Sequence, residues 1–276
     1  MMKLMYITNE PEIAKAIQNA GVDRIFIDLE INGKYERQGH KDTVISHHEL
    51  SDISRIRNVL DVAELLVRVN PLYEGTEEEI NEAILRGADV LMLPMFKEAW
   101  EVAAFITLVN KRVKVSLLLE TYEALLNLDE ILEVEGIDEI HIGLNDLHLS
   151  MERTFMFELL SDGTVEYACQ KIKAQNIRVG FGGIAKIGQG ILPAEMILAE
   201  HFRIGSEMAI LSRTFHERSS NLAELNQRMI IEDEIKRIRD MEKQLKLWPE
   251  EQLLQNQKDV QLLVNIITTK ILQESY

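Results

Sequence analysis

The chain has 276 residues, and 46% of them are hydrophobic, so it is long and apolar enough to bury the core of one large globular domain. Its 46 acidic residues outnumber its 30 basic ones, and the formal net charge of -16 argues against nucleic acid or an anionic membrane surface as the main partner. The single cysteine, Cys169, excludes an internal disulfide, and no apolar run approaches the ~20 residues that span a bilayer.

Eight short apolar runs alternate along the chain with longer segments of helical periodicity. Several runs are apolar almost throughout, as expected of parallel strands that are covered on both faces. The first run follows the amino terminus without the pattern of a signal peptide, so we expect a cytoplasmic protein. Gly21, Gly87 and Gly136 each follow a helix-like segment, where a glycine commonly ends a helix. The predicted strands are residues 3–7, 24–30, 64–70, 90–95, 114–120, 139–145, 178–184 and 203–211.

Eight strand–helix units in residues 1–215 fit a TIM (β/α)8 barrel of the α/β class. The alternative is a doubly wound open sheet. The barrel is favoured because the units number eight and because polar residues collect where the predicted strands end. In a barrel, that carboxyl-terminal rim is where catalysis takes place.

Residues 216–276 carry no strand pattern and are predicted to form C-terminal helices. Apolar residues recur at helical spacing up to Trp248-Pro249, and a second apolar helix follows around residues 253–272. Closing a barrel does not need this much chain. We therefore expect the surplus apolar stripe to pack on the barrel itself or on another subunit of a homo-oligomer.

Two acidic residues stand at the ends of neighbouring predicted strands. Glu120 closes the run 114–120, and Asp146 directly follows the run 139–145. Neighbouring parallel strands end at the same rim, so the two carboxylates should lie close together. Two hard oxygen donors at one rim favour Mg²⁺ or Mn²⁺ and predict a metal-assisted enzyme.

A second polar group is expected beside this pair. Asp28 and Glu30 are two residues apart and face the same side of a strand, and Arg68 stands near the end of the next strand. An arginine fork near a metal suits a substrate carboxylate or a developing enolate oxygen. Alternatively, Arg68 forms an ion pair with Asp28 or Glu30 that simply fills the top of the barrel. The two interpretations are compatible, since an ion pair would also hold the guanidinium in position.

Glycines late in the barrel suggest an anion site. Gly182 and Gly183 end one predicted strand, and Gly205 and Ser206 lie in the next, while Lys186 adds a positive charge. Barrels often bind phosphate through backbone N–H groups of the loops after strands seven and eight. The alternative is that these glycines only relieve crowding at the barrel mouth.

Five stretches of the sequence carry motifs that occur together in one family: residues 21–30, 66–70, 86–95, 118–124 and 136–147. In these stretches the chain resembles the HpcH/HpaI aldolase and citrate lyase β-subunit superfamily. The resemblance is ordered, covers roughly residues 3–212 and omits the tail. It implies a TIM barrel with a divalent metal at its carboxyl-terminal face, and reactions that make or break a C–C bond next to a carbonyl. Substrates in the family are 2-oxo acids with aldehydes, or acyl-CoA thioesters.

The resemblance also implies roles for individual residues. Glu120 and Asp146 match the metal-binding acids, and Arg68 matches the arginine that contacts the keto acid or its enolate. Asp28 and Glu30 match acids at the edge of the active site or one layer behind it. A metal held by two carboxylates keeps open positions, where a 2-oxo acid can chelate through its carboxylate and keto oxygens.

The sequence departs from the aldolase pattern in one place. The aldolase branch has a histidine directly after its Asp-x-Glu, as part of the proton-transfer apparatus, and this chain has Ile31 there. The general base is therefore open, and the departure favours a lyase-like branch or a different substrate. Lys34, Arg37 or His40 in the following polar loop is a candidate for reaching the site, and so is His148.

The histidines are assigned individually. His148 lies two residues after Asp146, and its ordinary pKa near ~6.5 suits an acid or a base, although it is equally compatible with a surface histidine on a short helical turn. His141 lies inside a predicted strand and is interpreted as structural. His47 and His48 open a helix and are expected to be solvated.

These observations lead to three hypotheses. The first is a divalent-metal-dependent carbon–carbon lyase, an aldehyde-lyase or oxo-acid-lyase acting on a 2-oxo acid or a related small carboxylate. The second keeps the enolate but changes the reaction to that of a mutase, hydrolase or epimerase acting on a phosphorylated small molecule. The third is an inactive barrel that serves as an assembly subunit through its helical tail.

Overall fold

The computed structural model describes residues 1–32, 48–215 and 219–274. Within these ranges, eight strands pair in sequence order and close into a barrel. Every neighbouring pair is parallel, so all strands end at one common rim. The predicted TIM barrel is therefore confirmed, and the open sheet is excluded. The strands are β1 (Lys3–Ile7), β2 (Arg24–Asp28), β3 (Glu64–Arg68), β4 (Val90–Leu93), β5 (Lys114–Leu119), β6 (Glu139–Ile142), β7 (Arg178–Ile184) and β8 (Met208–Leu211).

Helices surround the barrel and continue beyond it. None of those in the described ranges combines the length and hydropathy that crossing a membrane requires. The helices are α1 (Pro11–Asn19), α2 (Leu50–Arg57), α3 (Thr76–Leu85), α4 (Ala99–Val109), α5 (Tyr122–Leu126), α6 (Leu128–Leu132), α7 (Leu144–Ser150), α8 (Glu158–Ser161), α9 (Thr164–Ala174), α10 (Ala194–Ile204), α11 (Leu222–Arg228), α12 (Ile231–Leu245) and α13 (Glu250–Glu274).

Two elements of the structure differ from what the sequence pattern indicates. Residues 122–133, one of the segments of helical periodicity between the predicted strands, form two helices, α5 and α6, because Asn127 between them leaves the helical conformation. The predicted strand 203–211 is shorter than expected. Helix α10 continues to Ile204, Gly205 follows in the left-handed conformation at φ 75°, and β8 begins only at Met208.

Two apolar cores explain why the strands are hydrophobic on both faces. The larger core lies between the barrel and the helices. The smaller core fills the barrel interior and is formed by every second residue of the strands that contribute to it, as the alternation of strand side chains requires. Its buried members are Met5, Phe26, Leu66, Val90, Met92, Leu118 and Met208.

Charged residues close the amino-terminal end of the barrel. The Arg24 guanidinium has no exposed surface and donates hydrogen bonds to both Glu139 and Glu64, and Lys3 and Lys114 add contacts to Glu64 at 2.7 and 2.5 Å. Burial alone would raise the pKa of Glu64, but hydrogen bonds from Lys114, Lys3 and Arg24 outweigh it and hold that pKa well below its usual value. This network lies at the end of the barrel opposite the carboxyl-terminal rim.

The long tail helix α13 packs on its own barrel. It lies against α8 and α10, with Val260 and Val264 buried in the contact. The Asn256 side chain donates hydrogen bonds to the Met196 carbonyl and to the Glu200 carboxylate. Part of the surplus apolar stripe is thus covered within the chain. Other apolar residues of α13 face outward, including Leu254, Leu262 and Ile266, which are 43%, 62% and 56% exposed.

Candidate active site

An arginine–carboxylate cluster lies at the carboxyl-terminal rim. Asp28 and Arg68 are the last residues of β2 and β3 and are paired in register. Nε and Nη2 of Arg68 donate to the two Asp28 carboxylate oxygens, each at 2.9 Å, and Nη1 lies 3.2 Å from Glu30 Oε2. Both carboxylates are 2% exposed. The ion pair that the sequence left as an alternative is therefore present, and it fixes the direction of the guanidinium plane.

Electrostatics link Glu120 to this cluster. Burial alone would lower the pKa of Arg68, but the charges of Asp28 and Glu30, the Asp28 hydrogen bonds and the charge of Glu120 together raise it above its ordinary value. Arg68 is therefore held as a cation. Phe26 lies below it in the barrel interior, with the guanidinium carbon 5.8 Å from the ring centroid.

Glu120 directly follows β5 and is 2% exposed. Its Oε1 accepts a hydrogen bond from the Met95 backbone N–H at 3.2 Å. Met95 stands in the left-handed conformation at φ 56°, which is uncommon for a residue other than glycine. A side-chain carbon at Gly143 would come within 3.0 Å of Glu120 Oε2, so the chain needs a glycine where it passes this carboxylate. The unusual backbone conformation of Met95 and the close approach of Gly143 therefore both occur next to Glu120.

Asp146 is not at the end of a strand, as the predicted run 139–145 would place it. Strand β6 ends at Ile142, Gly143 caps the next helix, and Asp146 lies in the first turn of α7. Gly143, which caps α7 three residues before Asp146, is also the glycine that passes close to Glu120 Oε2. The described residues contain no cluster of three or more His, Cys, Asp or Glu side chains suited to a metal.

The donor chemistry of Glu120 and Asp146 fits a hard divalent cation. Mg²⁺ is commonly bound through one or two carboxylates, with water and substrate oxygens completing its coordination. Both side chains supply oxygen donors on the β5–β6 side of the rim. Glu120 is buried, whereas Asp146 is half-buried and therefore more accessible to solvent.

The predicted glycine-lined anion pocket does not form as one site. Gly182 and Gly183 lie near the carboxyl end of β7, where Gly183 pairs with Ile210 of β8. Gly205 instead caps α10, and Ser206 precedes β8, with its hydroxyl 2.8 Å from His201 Nδ1. Assigning Gly205 and Ser206 to the anion site was therefore wrong. They lie at the opposite end of β8, because the last turn of α10 occupies part of the predicted strand.

Other residues take the neighbouring positions on the β7–β8 side of the rim. Lys186 is 5% exposed, and its backbone N–H donates to the Thr214 hydroxyl at 3.0 Å. The Ser212 and Thr214 hydroxyls are 3.1 Å apart, and a side chain at Gly183 would contact Ser212 and the Ile210 carbonyl oxygen. The lysine is therefore in the predicted region, together with two hydroxyls that the sequence did not single out.

His148 lies on the buried face of α7. It is 8% exposed, and its Nδ1 lies 3.1 Å from the Leu144 carbonyl oxygen. A carbonyl only accepts, so Nδ1 carries the proton. Asp146 is about 160° away around the helix axis, given the ~100° turn per residue. This placement favours a structural role for His148 over a role in the same site as Asp146, and its acid or base role stays a prediction.

His141 lies in the barrel interior, 1% exposed, and its Nε2 lies 3.1 Å from the Gly182 carbonyl oxygen. The interpretation of His141 as structural agrees with this position. The contact spans β6 and the irregular pairing of β7, where Gly182 adopts φ 48°. His141 therefore holds the end of β7 from below the rim.

Burial lowers the pKa of His141 from 6.5 to about 4, and this predicts a pH dependence of stability. The unfolded chain binds a proton at His141 that the folded chain excludes, so stability is complete above pH ~6.5 and falls as the pH drops through about 4. The loss is about 3 kcal/mol. Urea unfolding of the wild type and His141→Gln between pH 7 and pH 4 measures it. Identical slopes for both proteins would contradict the prediction. Because burial also lowers the pKa of His201, a residual slope is expected in the variant.

His48 is a residue that the sequence reasoning missed. Its Nδ1 accepts a hydrogen bond from the Asp28 backbone N–H at 2.9 Å, so it lies at the rim rather than in solvent as expected. The signal was present, since His48 comes just before α2, and the helix that follows β2 must begin at the same rim. Lys34, Arg37 and His40 lie outside the described residues.

Asn70 is a second missed residue. Its Oδ1 accepts from the backbone N–H groups of Ile31 and Asn32 at 2.9 and 3.0 Å, and its Nδ2 donates to Glu79 at 2.7 Å. The amide thereby holds the chain as it leaves the Asp28–Glu30 segment. Ile31 itself is 62% exposed, and its side chain contributes no polar group to the rim.

Comparisons with known proteins agree with this architecture. The model of the HpcH/HpaI aldolase/citrate lyase family matches residues 3–175. The HpcH/HpaI aldolase from Desulfitobacterium hafniense DCB-2 shares the fold at 14% identity and a TM-score of 0.60, covering 83% of this chain and 94% of that one. An HpcH/HpaI aldolase/citrate lyase family protein from Burkholderia cenocepacia J2315 does so at 14% identity and 0.61, covering 83% and 95%. No protein with a curated description matches the chain. The family match over most of the barrel identifies the chain as a member of the HpcH/HpaI aldolase/citrate lyase family.

Proposed function

We propose that this family member is a divalent-metal-dependent carbon–carbon lyase of the aldolase type, acting on a 2-oxo acid or its enolate. The observation that carries the proposal is the cluster at the rim: Arg68 is held by Asp28 and Glu30 and is coupled electrostatically to Glu120. Arg68 supplies a fixed positive charge near Glu120, a carboxylate suited to binding a metal. This arrangement suits a 2-oxo acid, whose enolate carries negative charge on the carboxylate and on the former keto oxygen.

Donor counting supports a role for Arg68 in substrate binding. A guanidinium has five N–H donors. Among the described residues, Asp28 takes two of them and Glu30 faces a third. Donors on Nη1 and Nη2 thus remain for a substrate oxygen, while the two carboxylates keep the guanidinium from turning.

The proposed mechanism assigns one task to each group. Glu120 and Asp146 would hold Mg²⁺ or Mn²⁺, which when bound would supply positive charge beside the substrate oxygens. Arg68 binds the substrate carboxylate or enolate oxygen, and Asp28 and Glu30 orient it. Burial of these side chains keeps water away from the ion pair and strengthens its electrostatic interaction with the substrate.

The proposal is tested by the exchange of pyruvate methyl protons for deuterium, which reports enolate formation without requiring the natural aldehyde. We expect exchange that depends on Mg²⁺ or Mn²⁺ and falls by at least about 10²-fold in Glu120→Gln. Mn²⁺ binding, measured by calorimetry, should be lost in the same variant while its unfolding temperature is retained.

Glu123→Gln is the matched control, because Glu123 lies on α5 just after Glu120 and pairs with the exposed Lys97. This variant should bind Mn²⁺ and exchange the methyl protons of pyruvate as the wild type does. Exchange of the pyruvate methyl protons by the wild type in excess chelator would contradict the proposed dependence on a metal. No exchange and no cleavage across a panel of 2-oxo acids would favour the inactive assembly subunit. Gly205 and Ser206 lie at the opposite end of β8, so they do not support the alternative of a phosphorylated substrate.

Self-association through the C-terminal helices is a further part of the proposal. Leu262 and Ile266, one helical turn apart on α13, are more than half exposed. We expect the double variant Leu262→Glu, Ile266→Lys to show a smaller mass than the wild type in light scattering. Leu85→Glu, at an 80% exposed position on α3, is the control and should keep the wild-type mass. An unchanged mass in the double variant would contradict association through this face.

A further inference from the structure

We propose that Glu79 is a positioning residue of the active site. Through the Asn70 amide it holds residues 28–32, and so it fixes the two carboxylates that bind Arg68. The inference rests on the proposed function and extends it to a buried acid on α3 that the mechanism above does not use. The alternative is that Glu79 only stabilises the start of its own helix.

Glu79 lies in an unusual environment for an acid at its position. It is in the first turn of α3, directly after two exposed acids, Glu77 and Glu78, but is itself only 7% exposed. Burial raises the pKa of Glu79, and hydrogen bonds from Asn70 and the Tyr73 hydroxyl oppose this shift. A carboxylate is costly to bury unless hydrogen bonds compensate, so these contacts keep Glu79 inside the protein.

Glu79 determines the orientation of the Asn70 amide. Asn70 Nδ2 donates to Glu79 Oε1 at 2.7 Å, and the Asn70 backbone nitrogen lies 3.3 Å from each carboxylate oxygen. An ionised carboxylate only accepts, so the amide must turn its NH2 group toward Glu79 and its oxygen away. That oxygen accepts from the backbone N–H groups of Ile31 and Asn32 at 2.9 and 3.0 Å. The reversed amide would place its own N–H groups against these two donors.

The segment that Asn70 holds is the one that carries the partners of Arg68. The Leu29 N–H donates to the Arg68 carbonyl oxygen at 2.9 Å, and the Leu29 carbonyl oxygen accepts from Asn70 Nδ2 at 3.3 Å. Asp28 and Glu30 flank Leu29, and the Glu30 N–H donates to Asp28 Oδ1 at 3.3 Å. A shift of this segment therefore moves both carboxylates, and the guanidinium that they hold turns with them.

One strand–helix unit supplies both the guanidinium and its support. Arg68 ends β3, Asn70 follows two residues later, and Glu79 lies in the first turn of α3. Asn70 connects this unit to the end of β2, so the Glu79–Asn70 pair sets the position of that end relative to Arg68. A displacement of about 1 Å in a substrate-binding group can lower a rate by about 10²-fold, so this support matters for catalysis.

Glu79→Gln keeps the shape of the side chain and removes its charge. We expect it to lower kcat/KM for cleavage of a 4-hydroxy-2-oxo acid by about 10-fold, chiefly through kcat, because Arg68 loses its alignment. In the Arg68→Lys background the same change should cost only about 2-fold, since the aligned guanidinium is already gone. Glu77→Gln, at an exposed position in the same turn of α3, is the control and should match the wild type.

An exchange of acid and amide between the two positions tests the orientation directly. Asn70→Asp places a second carboxylate against Glu79 and should lower kcat/KM by about 10²-fold. Adding Glu79→Gln leaves the acid at position 70 and the amide at position 79. The acid still accepts from Ile31 and Asn32, and the amide donates to it. We therefore expect the double variant to be at least about 10-fold more active than Asn70→Asp.

Hydrogen exchange at the Ile31 and Asn32 amides, measured by mass spectrometry, supplies a readout independent of activity. It should be about 10-fold faster in Glu79→Gln and unchanged in Glu77→Gln. The inference is overturned if this exchange is unchanged in Glu79→Gln, if activity falls by the same factor in both backgrounds, or if the double variant is no more active than Asn70→Asp. Absence of metal-dependent proton exchange with pyruvate in the wild type would instead refute the proposed function. The amide exchange would still report whether Glu79 holds the segment, so the two failures are distinguishable.

Discussion

Replacing Arg68 with lysine is expected to lower kcat/KM for carbon–carbon cleavage by about 10²- to 10³-fold. Lysine keeps the positive charge, so Asp28 and Glu30 are not left as buried carboxylates without a cation. A single ammonium group, however, cannot span both Asp28 oxygens and still direct two donors at the substrate. The loss should therefore appear in catalysis far more than in the free energy of unfolding.

The measurement is steady-state cleavage of a 4-hydroxy-2-oxo acid, with urea unfolding of the same samples. Arg86→Lys is the matched control, because Arg86 pairs with Glu82 on the outer surface of the barrel with both side chains about one-third exposed. That variant should retain wild-type kinetics. Wild-type kcat/KM in Arg68→Lys would remove the guanidinium from the proposed mechanism.

Replacing Arg24 with methionine is expected to lower the free energy of unfolding by about 3–5 kcal/mol. Arg24 has no exposed surface, and Glu139, its main partner, is 1% exposed. The variant leaves the Glu139 carboxylate buried without its cation, which costs more than the pairing itself contributes. The predicted effect is the largest on stability because both members are removed from water.

Guanidinium chloride unfolding of Arg24→Met and of the double variant Arg24→Met, Glu139→Gln tests this account. Neutralising Glu139 should restore a large part of the lost stability, since the charge is the source of the penalty. Arg86→Met, at a partly exposed pair, should cost less than about 1 kcal/mol. An Arg24→Met protein as stable as the wild type would show that the network contributes nothing.

The barrel was predictable from the sequence for a specific physical reason. Parallel strands that are buried on both faces must be apolar in consecutive positions. The run that forms β5 can therefore be recognised in the sequence without any tertiary information. Glu120 stands out because it ends such a run, and Arg68 and Asp28 stand out in the same way. Each is a charged residue adjoining an apolar strand, and the strand geometry alone assigns each to the rim.

The errors occurred where a helix replaced part of a predicted strand. Gly205 and Ser206 looked like strand residues because α10 ends in apolar side chains that merge with those of β8. Asp146 was placed at a strand end although Gly143 had already turned the chain into α7. Short apolar segments have the same composition in a buried strand and a buried helix end, so periodicity does not separate them.

By itself, the sequence determined the eightfold strand–helix alternation, the polar rim and the identity of most residues on it, because these follow from local hydropathy and spacing. Only the tertiary structure decided that Asp28 and Glu30 both hold Arg68 and that the Asp28 N–H meets His48. These contacts depend on the relative register of strands that are far apart in the chain. Register is set by the closure of the whole barrel, which no local pattern encodes.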